Sequence, residues 1–169
     1  MKIFRSLLIT LLMAACQINT SSADSGAAQP AFEPLSSFPQ TSLTIVTPDG
    51  RQHPFRIWVA DTDAHREQGL MMINSLEIST GMLFIFDRPQ IVQMWMKNTL
   101  IPLDMVFIDA DGRIDSIAAN TTPMSLKIIA ARNPVLGVLE IAGGSAAKLG
   151  IKTGAIVKHP AFASVGGRR

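Results

Sequence analysis

The sequence predicts a mainly β fold, namely a compact single-domain β-barrel or sandwich with two short helices. Turn signals recur about every ten residues from Ser42 onward, a spacing typical of proteins built from short strands. The segments between these turns are short and rich in β-branched and aromatic residues. Only two segments carry helix signals, and residues 42–160 provide enough chain for one hydrophobic core but not two.

The first predicted elements are a hairpin and a short helix. Residues 43–46 and 55–59 are β-rich runs on either side of Pro48-Asp49-Gly50, which favours a turn, so they predict a hairpin. Asp61-Thr62-Asp63 then offers an N-cap and acidic residues for a first helical turn. The helix is predicted to end near Gly69.

The remaining elements are mostly strands. Short apolar runs flanked by Gly, Pro or Asp favour buried strands. The candidate strands are residues 82–86, 91–97, 103–108, 113–117, 135–141 and 155–158. A second short helix is predicted over residues 145–149, ended by Gly150. Many short strands with two short helices are typical of a β-barrel or sandwich.

The charge of the chain is concentrated at its ends. The formal net charge is +2, but Lys2, Arg5, Arg168 and Arg169 lie outside the predicted domain. Within residues 42–160, 11 Lys and Arg offset 11 Asp and Glu. A neutral domain lacks the basic surface that drives nucleic-acid binding, so no nucleic-acid partner is expected.

The N-terminus predicts export. Lys2 and Arg5 precede an apolar run over residues 7–15, which is the layout of a secretory signal and is too short to span a bilayer stably. The only Cys, Cys16, follows Met13-Ala14-Ala15, and this run resembles the bacterial lipobox. The resemblance implies cleavage before Cys16 and its acylation, hence a membrane-anchored lipoprotein facing the periplasm. The alternative is ordinary secretion as a soluble periplasmic protein, with cleavage near Ala15 or after Ala23.

The segment after Cys16 predicts a tether. Up to about residue 40 it is rich in Ser, Ala, Gln and Pro and has few charges and few large apolar groups. Such a segment buries too little surface to offset the entropy lost on ordering. The predicted organisation is a signal peptide at 1–15, a flexible tether at 16–41, a β domain at 42–160 and a C-terminal tail at 161–169.

A series of short motifs carries a family resemblance. In order, the motifs are Gly69-Leu70-Met71, Gly81-Met82-Leu83-Phe84-Ile85-Phe86, Trp95-Met96-Lys97-Asn98-Thr99-Leu100-Ile101-Pro102-Leu103-Asp104, Phe107-Ile108-Asp109, Leu139-Glu140, and the glycines Gly150 and Gly154. Together they resemble the prokaryotic family called domain of unknown function 192, over residues 42–157. The resemblance implies a compact, mostly β single domain that is often exported, and it implies no particular activity.

The stretch around Trp95 is the candidate binding site. Trp95 could form the floor of a small pocket, with Lys97 as its cation and Asn98 and Thr99 as hydrogen-bonding groups. Asp104 lies just beyond, and a set of this kind suits an anionic or polyhydroxy ligand. The alternative is a turn in which Asn98 and Thr99 satisfy backbone groups and Lys97 pairs with Asp104.

Two further candidates lie outside that stretch. Arg66, on the first predicted helix, could add a second charged wall beside Lys97, although a solvated helix face is the alternative. Glu140 lies in an apolar strand and, if buried, needs a partner such as Arg132 or Lys97, so a structural ion pair is expected.

The methionines admit a copper(I) site, because thioethers select soft metals. The candidates are Met71, Met72, Met82, Met94, Met96 and Met105. Most of them lie within apolar strands, where Met fills gaps in a core, so core packing is the preferred interpretation. No metal site or cofactor is therefore expected.

The function expected from the sequence is ligand binding or an accessory role in the cell envelope, with an unknown small molecule or envelope component as the partner. One alternative is a hydrolase-like enzyme on an envelope glycan or lipid, with Asp104 and Lys97 as acid and base. Another is a structural protein-interaction domain, and a third is copper(I) binding by Met. The sequence shows no nucleophile elbow, phosphate loop or zinc motif, so no catalytic residue is assigned.

Overall fold

The computed structural model describes residues 32–162. The predicted signal peptide, Cys16, most of the predicted tether and residues 163–169 of the predicted tail lie outside the described residues. Within residues 32–162, no helix is both long enough and apolar enough to cross a membrane.

The described residues form nine strands and two short α-helices, so the domain is mainly β, as predicted. The strands are β1 (Gln40–Val46), β2 (Gln52–Ala60), β3 (Thr80–Gln90), β4 (Gln93–Met94), β5 (Leu103–Ile108), β6 (Ile114–Ala118), β7 (Ile129–Ala130), β8 (Val135–Ala142) and β9 (Ile156–Lys158). The helices are α1 (Asp63–Gln68) and α2 (Ser145–Leu149), and single 3-10 turns lie at Leu35–Ser37 and Pro160–Phe162.

Seven of the strands form one curled sheet in the order β6-β5-β8-β3-β2-β1-β9. Every neighbouring pair is antiparallel except β2 and β3, which are parallel because α1 and the loop after it carry the chain across between them. The two edges approach each other through a single bridge between Arg113 and Ile156. The sheet is therefore a half-barrel rather than a closed barrel, since β9 is too short to pair along β6.

Both faces of the central strands are buried, and each face packs into its own core cluster. Leu83 and Leu139 belong to the first cluster, whereas Met82 and Val138 belong to the second. The register pairs Glu140 of β8 with Met82 of β3 and with Met105 of β5. A carboxyl group is thus built into the middle of a sheet that is covered on both sides.

Most predicted elements are present, although several bounds differ and β7 was not predicted. The hairpin β1–β2 forms around Pro48-Asp49-Gly50, and Thr62 caps α1 by accepting a hydrogen bond from the backbone N–H of His65. The ordered domain begins before Ser42, because β1 starts at Gln40 and Phe38 packs into the second core cluster. The strand predicted over residues 91–97 is reduced to β4, which pairs only with β7. Beyond it the chain leaves the ladder, and Met96 donates its N–H to the carbonyl of Ser125 in a loop.

Candidate functional site

A cavity of about 110 Å³ lies between α1, the centre of the sheet and the segment that follows β4. Its lining combines polar, aromatic and thioether groups. The lining residues are Arg66, Glu67, Gln68, Gly69, Leu70, Met71, Phe84, Gln93, Met94, Trp95, Thr99 and Glu140. The cavity is therefore assembled from segments that are far apart in the sequence.

Glu140 is the chemically unusual group in this cavity. Its side chain is only 4% exposed, and its strand neighbours Met82 and Met105 are fully buried. Within residues 32–162 its carboxyl group makes no hydrogen bond and no ion pair, so the predicted pairing with Arg132 or Lys97 is wrong. Burial alone raises the pKa of Glu140 from 4.5 to about 8. A buried carboxyl group without a partner avoids the cost of its charge by holding a proton, so Glu140 is largely protonated at neutral pH.

Gly69 allows the backbone to pass close to Glu140. It ends α1 with φ +51° and ψ −136°, a conformation that residues with a Cβ rarely adopt. A Cβ at this position would lie 2.9 Å from Cζ of Phe84 and 3.9 Å from Oε2 of Glu140. The glycine therefore both turns the chain and leaves the space beside the carboxyl group.

Trp95 provides an aromatic surface at the edge of the cavity. The residue is 45% exposed. The ammonium of Lys97 lies 5.8 Å from the centre of the Trp95 ring, within the range of a cation–π interaction. The ring is thus already positioned to attract a positive charge.

The backbone beside Trp95 is strained in three places. Met72, Asn98 and Met124 have φ angles of 61°, 56° and 60°, in the left-handed region that favours glycine. Hydrogen bonds join the strained segments, because Met72 N–H donates to the Asn98 carbonyl (2.9 Å) and Met124 N–H donates to the Thr99 carbonyl (3.0 Å). Strained backbone of this kind concentrates at functional sites, where the surrounding structure holds it in place.

Arg66 borders the cavity, but its guanidinium is committed elsewhere. It donates to the carbonyl oxygens of Asp61 (2.6 Å) and Ile85 (2.8 Å) and to Asp63 Oδ1 (2.6 Å). It also lies 5.6 Å from the centre of the Phe86 ring. These contacts fix the position of α1 against β3 and engage three of the five N–H donors of the guanidinium.

The structure brings together only part of the candidate site predicted from the sequence. Trp95, Thr99 and Arg66 line the cavity, whereas Lys97 and Asn98 adjoin it without lining it. Thr99 is buried, and its hydroxyl donates to the Lys97 carbonyl (3.3 Å), as expected for a turn. Asn98 supplies its backbone carbonyl to Met72, and its side-chain amide contacts Met71 Sδ at 3.9 Å.

Asp104 is not part of the cavity. Its side chain is fully buried, and its two oxygens accept hydrogen bonds from the backbone N–H groups of Asn120 (2.7 Å), Gly144 (3.0 Å) and Ala146 (2.8 Å). Among the described residues it has no ion pair with Lys97, so that alternative is wrong as well. Asp104 instead joins β5 to the start of α2 and to the loop after β6.

The sequence drew attention to several methionines, and the structure divides them into groups. Met82, Met96 and Met105 are fully buried within the second core cluster, as the core-packing interpretation expects. Met71 and Met94 line the cavity, while Met72 is exposed. Across residues 32–162, no group of three or more His, Cys, Asp or Glu side chains is arranged to hold a metal ion.

Gly69, Phe84 and the unpaired state of Glu140 are the site features that the sequence did not predict. Gly69 was expected only to end a helix, and Phe84 only to lie in a buried strand. The available signal was Glu140 itself, a carboxylate within the apolar run 135–141. That signal indicates burial, but it does not show whether a partner is present.

One family model and two solved structures match most of this chain. The model of domain of unknown function 192, described as an uncharacterised ACR family, matches residues 44–159. A crystal structure of a protein of unknown function from Novosphingobium aromaticivorans is 41% identical, with a TM-score of 0.72, and the match covers 79% of this chain and 94% of that one. A Sinorhizobium meliloti protein described as a candidate transcription regulator is 40% identical, with a TM-score of 0.71, and the match covers 72% and 95%. No curated protein matches the chain.

Proposed function

Because the chain belongs to the family of domain of unknown function 192, whose description assigns no activity, we propose its function from the cavity: the domain binds a small ligand beside Glu140. One observation carries this proposal. Glu140 is only 4% exposed, its carboxyl group lacks a hydrogen bond or ion pair among residues 32–162, and the residue lines the cavity. Because Glu140 lines the cavity and is otherwise buried, a ligand in the cavity can provide the hydrogen-bond or ion-pair partner that the protein does not.

Three other features support ligand binding at the same place. The half-exposed Trp95 ring gives an apolar surface, and the Thr99 hydroxyl gives a polar group, which together match the usual composition of a small-molecule site. The strained backbone at Met72, Asn98 and Met124 holds the loops around Trp95 in one arrangement. A purely structural interaction domain would not require either the strain or the isolated acid.

We expect ligand binding to change the fluorescence of Trp95. The chain has only two Trp residues, so the variant Trp58→Phe makes Trp95 the only indole reporter. Titration of this variant with amines, sugars, nucleotides and carboxylic acids should shift the emission of Trp95 for one class, and the same class should raise the melting temperature. Glu140→Gln should weaken that response, whereas Glu77→Gln, at an exposed residue paired with Arg56, should leave it unchanged. The proposal is contradicted if no class changes either the emission or the melting temperature.

A hydrolase-like enzyme is the second candidate function, because Glu67 and Glu140 both line the cavity. Paired carboxylates with different environments can act as acid and base, and a raised pKa suits the acid. We assign this hypothesis to these two glutamates instead of Asp104 and Lys97, because both of them line the cavity. Release of product from a ligand found in the titration, and its loss in Glu140→Gln, would favour the enzyme over a binding module.

We propose that the domain works outside the cytosol, anchored to a membrane by acylated Cys16. The support is the N-terminal sequence, with its basic start, its apolar run and the lipobox-like Met13-Ala14-Ala15-Cys16. The intact mass of protein extracted from membranes should correspond to a chain that begins at Cys16 and carries acyl groups, and Cys16→Ala should abolish that mass. An unmodified chain beginning at Asp24 would instead establish secretion in soluble form.

We propose that nucleic acid is not a partner of this chain. The support is charge, because 11 Lys and Arg offset 11 Asp and Glu within residues 42–160. Binding to a phosphate backbone depends on a concentrated positive surface.

A further inference from the structure

We infer that the ligand of this cavity carries an ammonium group, which Glu140 binds as a counter-ion and Trp95 covers with its aromatic ring. This inference rests on the proposed function and narrows it to one class of ligand. It also replaces the anionic ligand expected from the sequence, because the cation proposed for that ligand, Lys97, does not line the cavity, whereas a carboxyl group does.

The charges that line the cavity favour a cation. The titratable side chains facing it are Arg66 and Glu67 from α1 and Glu140 from β8, since β3 contributes only Phe84 and the segment after β4 contributes only uncharged groups. Arg66 is held by Asp63 and by two backbone carbonyls. Two carboxyl groups therefore remain, and the buried one has only acceptor capacity once it loses its proton.

The aromatic wall favours a cation as well. Lys97 places an ammonium 5.8 Å from the centre of the Trp95 ring, within the range of a cation–π interaction, so the face of an indole that suits a cation lies at the cavity. The thioethers of Met71 and Met94 add polarisable surface at the same cavity. An ammonium group with a few carbon atoms suits a cavity of about 110 Å³, and a larger sugar or nucleotide does not.

Binding of a cation would be linked to loss of the Glu140 proton. In the free protein this proton is held up to about pH 8, because burial penalises the carboxylate. An ammonium ion prefers the carboxylate. As the pH is raised towards 8, its affinity should therefore increase by up to about tenfold for each pH unit, and above pH 8 it should level off. A neutral ligand that accepts a hydrogen bond from the protonated acid would show the opposite trend.

The ammonium group could come from a free amine or from a lipid headgroup. Met72, Leu100 and Met124 are large, exposed apolar residues next to, or hydrogen-bonded to, residues that line the cavity. They would contact the acyl region if the ligand were a headgroup, and they would not be needed for a free amine. The test therefore uses both sources.

The experiment titrates the full chain carrying Trp58→Phe with choline, and with its neutral analogue 3,3-dimethyl-1-butanol, at pH 6, 7, 8 and 9. Choline is charged at every pH, so any change in affinity belongs to the protein. Choline should bind with an affinity that rises roughly fiftyfold between pH 6 and 8, while the neutral analogue should bind more weakly and without this rise. Phosphatidylcholine vesicles form the second arm, and stronger binding to them than to free choline would identify a headgroup as the source.

Two variants test whether Glu140 causes the pH dependence of choline binding. Glu140→Gln should reduce choline affinity at pH 8 by at least tenfold and abolish its dependence on pH, whereas Glu77→Gln should change neither. Equal binding of choline and its neutral analogue would overturn the inference, and so would a response to sugars or carboxylic acids but not to choline. In either case the proposed binding function would survive, whereas the absence of any response at all would remove both.

Discussion

Replacing Glu140 by Gln should stabilise the domain at alkaline pH and leave its stability almost unchanged at pH 5. At pH 9 the wild-type protein must either carry a buried carboxylate or unfold, and Gln removes this charge while keeping the shape of the side chain. The pKa of Glu140 rises from 4.5 to about 8 on folding. At 1.36 kcal/mol for each pKa unit, the gain at pH 9 is at most about 5 kcal/mol.

The direction in which the free energy of unfolding changes with pH depends on whether the folded or the unfolded state holds the proton of Glu140. Between pH 4.5 and about pH 8 the folded protein binds one proton at Glu140 that the unfolded chain has released. The free energy of unfolding of the wild type therefore falls as the pH rises through this range and becomes level above it. This trend is opposite to that of an ordinary salt-bridged carboxylate, whose contribution to stability is lost in acid.

The measurement is urea denaturation of the wild type, Glu140→Gln and Glu77→Gln from pH 5 to pH 9. Burial also lowers the pKa of His159, which makes stability rise with pH near the ordinary pKa of histidine. Because His159 is present in all three proteins, the difference between the wild type and Glu140→Gln isolates Glu140. Glu77→Gln should follow the wild type within about 1 kcal/mol, since it removes only an exposed ion pair. A difference curve that is flat with pH would show that Glu140 has a partner.

Local signals in the sequence were sufficient for most of the fold. Turns such as Pro48-Asp49-Gly50 and helix ends such as Thr62 and Gly69 are decided by nearby residues, and the structure contains them. The half-barrel could not be distinguished from a closed barrel, because closure depends on how far β6 and β9 pair. That pairing joins Arg113 to Ile156, and no local pattern specifies it.

The candidate site was only partly predictable for a related reason. Trp95 and Thr99 stood out as an aromatic next to a polar run, and both line the cavity. The position of Glu140 beside Gly69 depends on a contact between segments 71 residues apart. A carboxylate buried at position 140 was also expected to be paired. Retention of the proton is the other way to avoid the charge, and only the structure shows that no partner is present among the described residues.

Replacing Asp104 by Ala should destabilise the domain by about 3–5 kcal/mol, because it leaves three backbone N–H groups, of which that of Ala146 is buried, without their acceptor. These N–H groups belong to the loop after β6 and to the start of α2, so both should lose their attachment to β5. Asp104→Asn should cost less, because its amide oxygen can still accept hydrogen bonds while its NH₂ group cannot. Urea denaturation at pH 7 measures both variants.

Two comparisons separate this structural role from the ligand-binding role that the sequence suggested for Asp104. Asp111→Ala removes an exposed carboxylate from the turn before β6 and should change stability by no more than about 0.5 kcal/mol. Asp104→Asn, studied at a temperature where it is folded, should bind choline with the affinity of the parent protein, because Asp104 does not line the cavity. If Asp104→Asn lost choline binding but kept its stability, Asp104 would belong to the binding site. The three hydrogen bonds would then contribute little to folding.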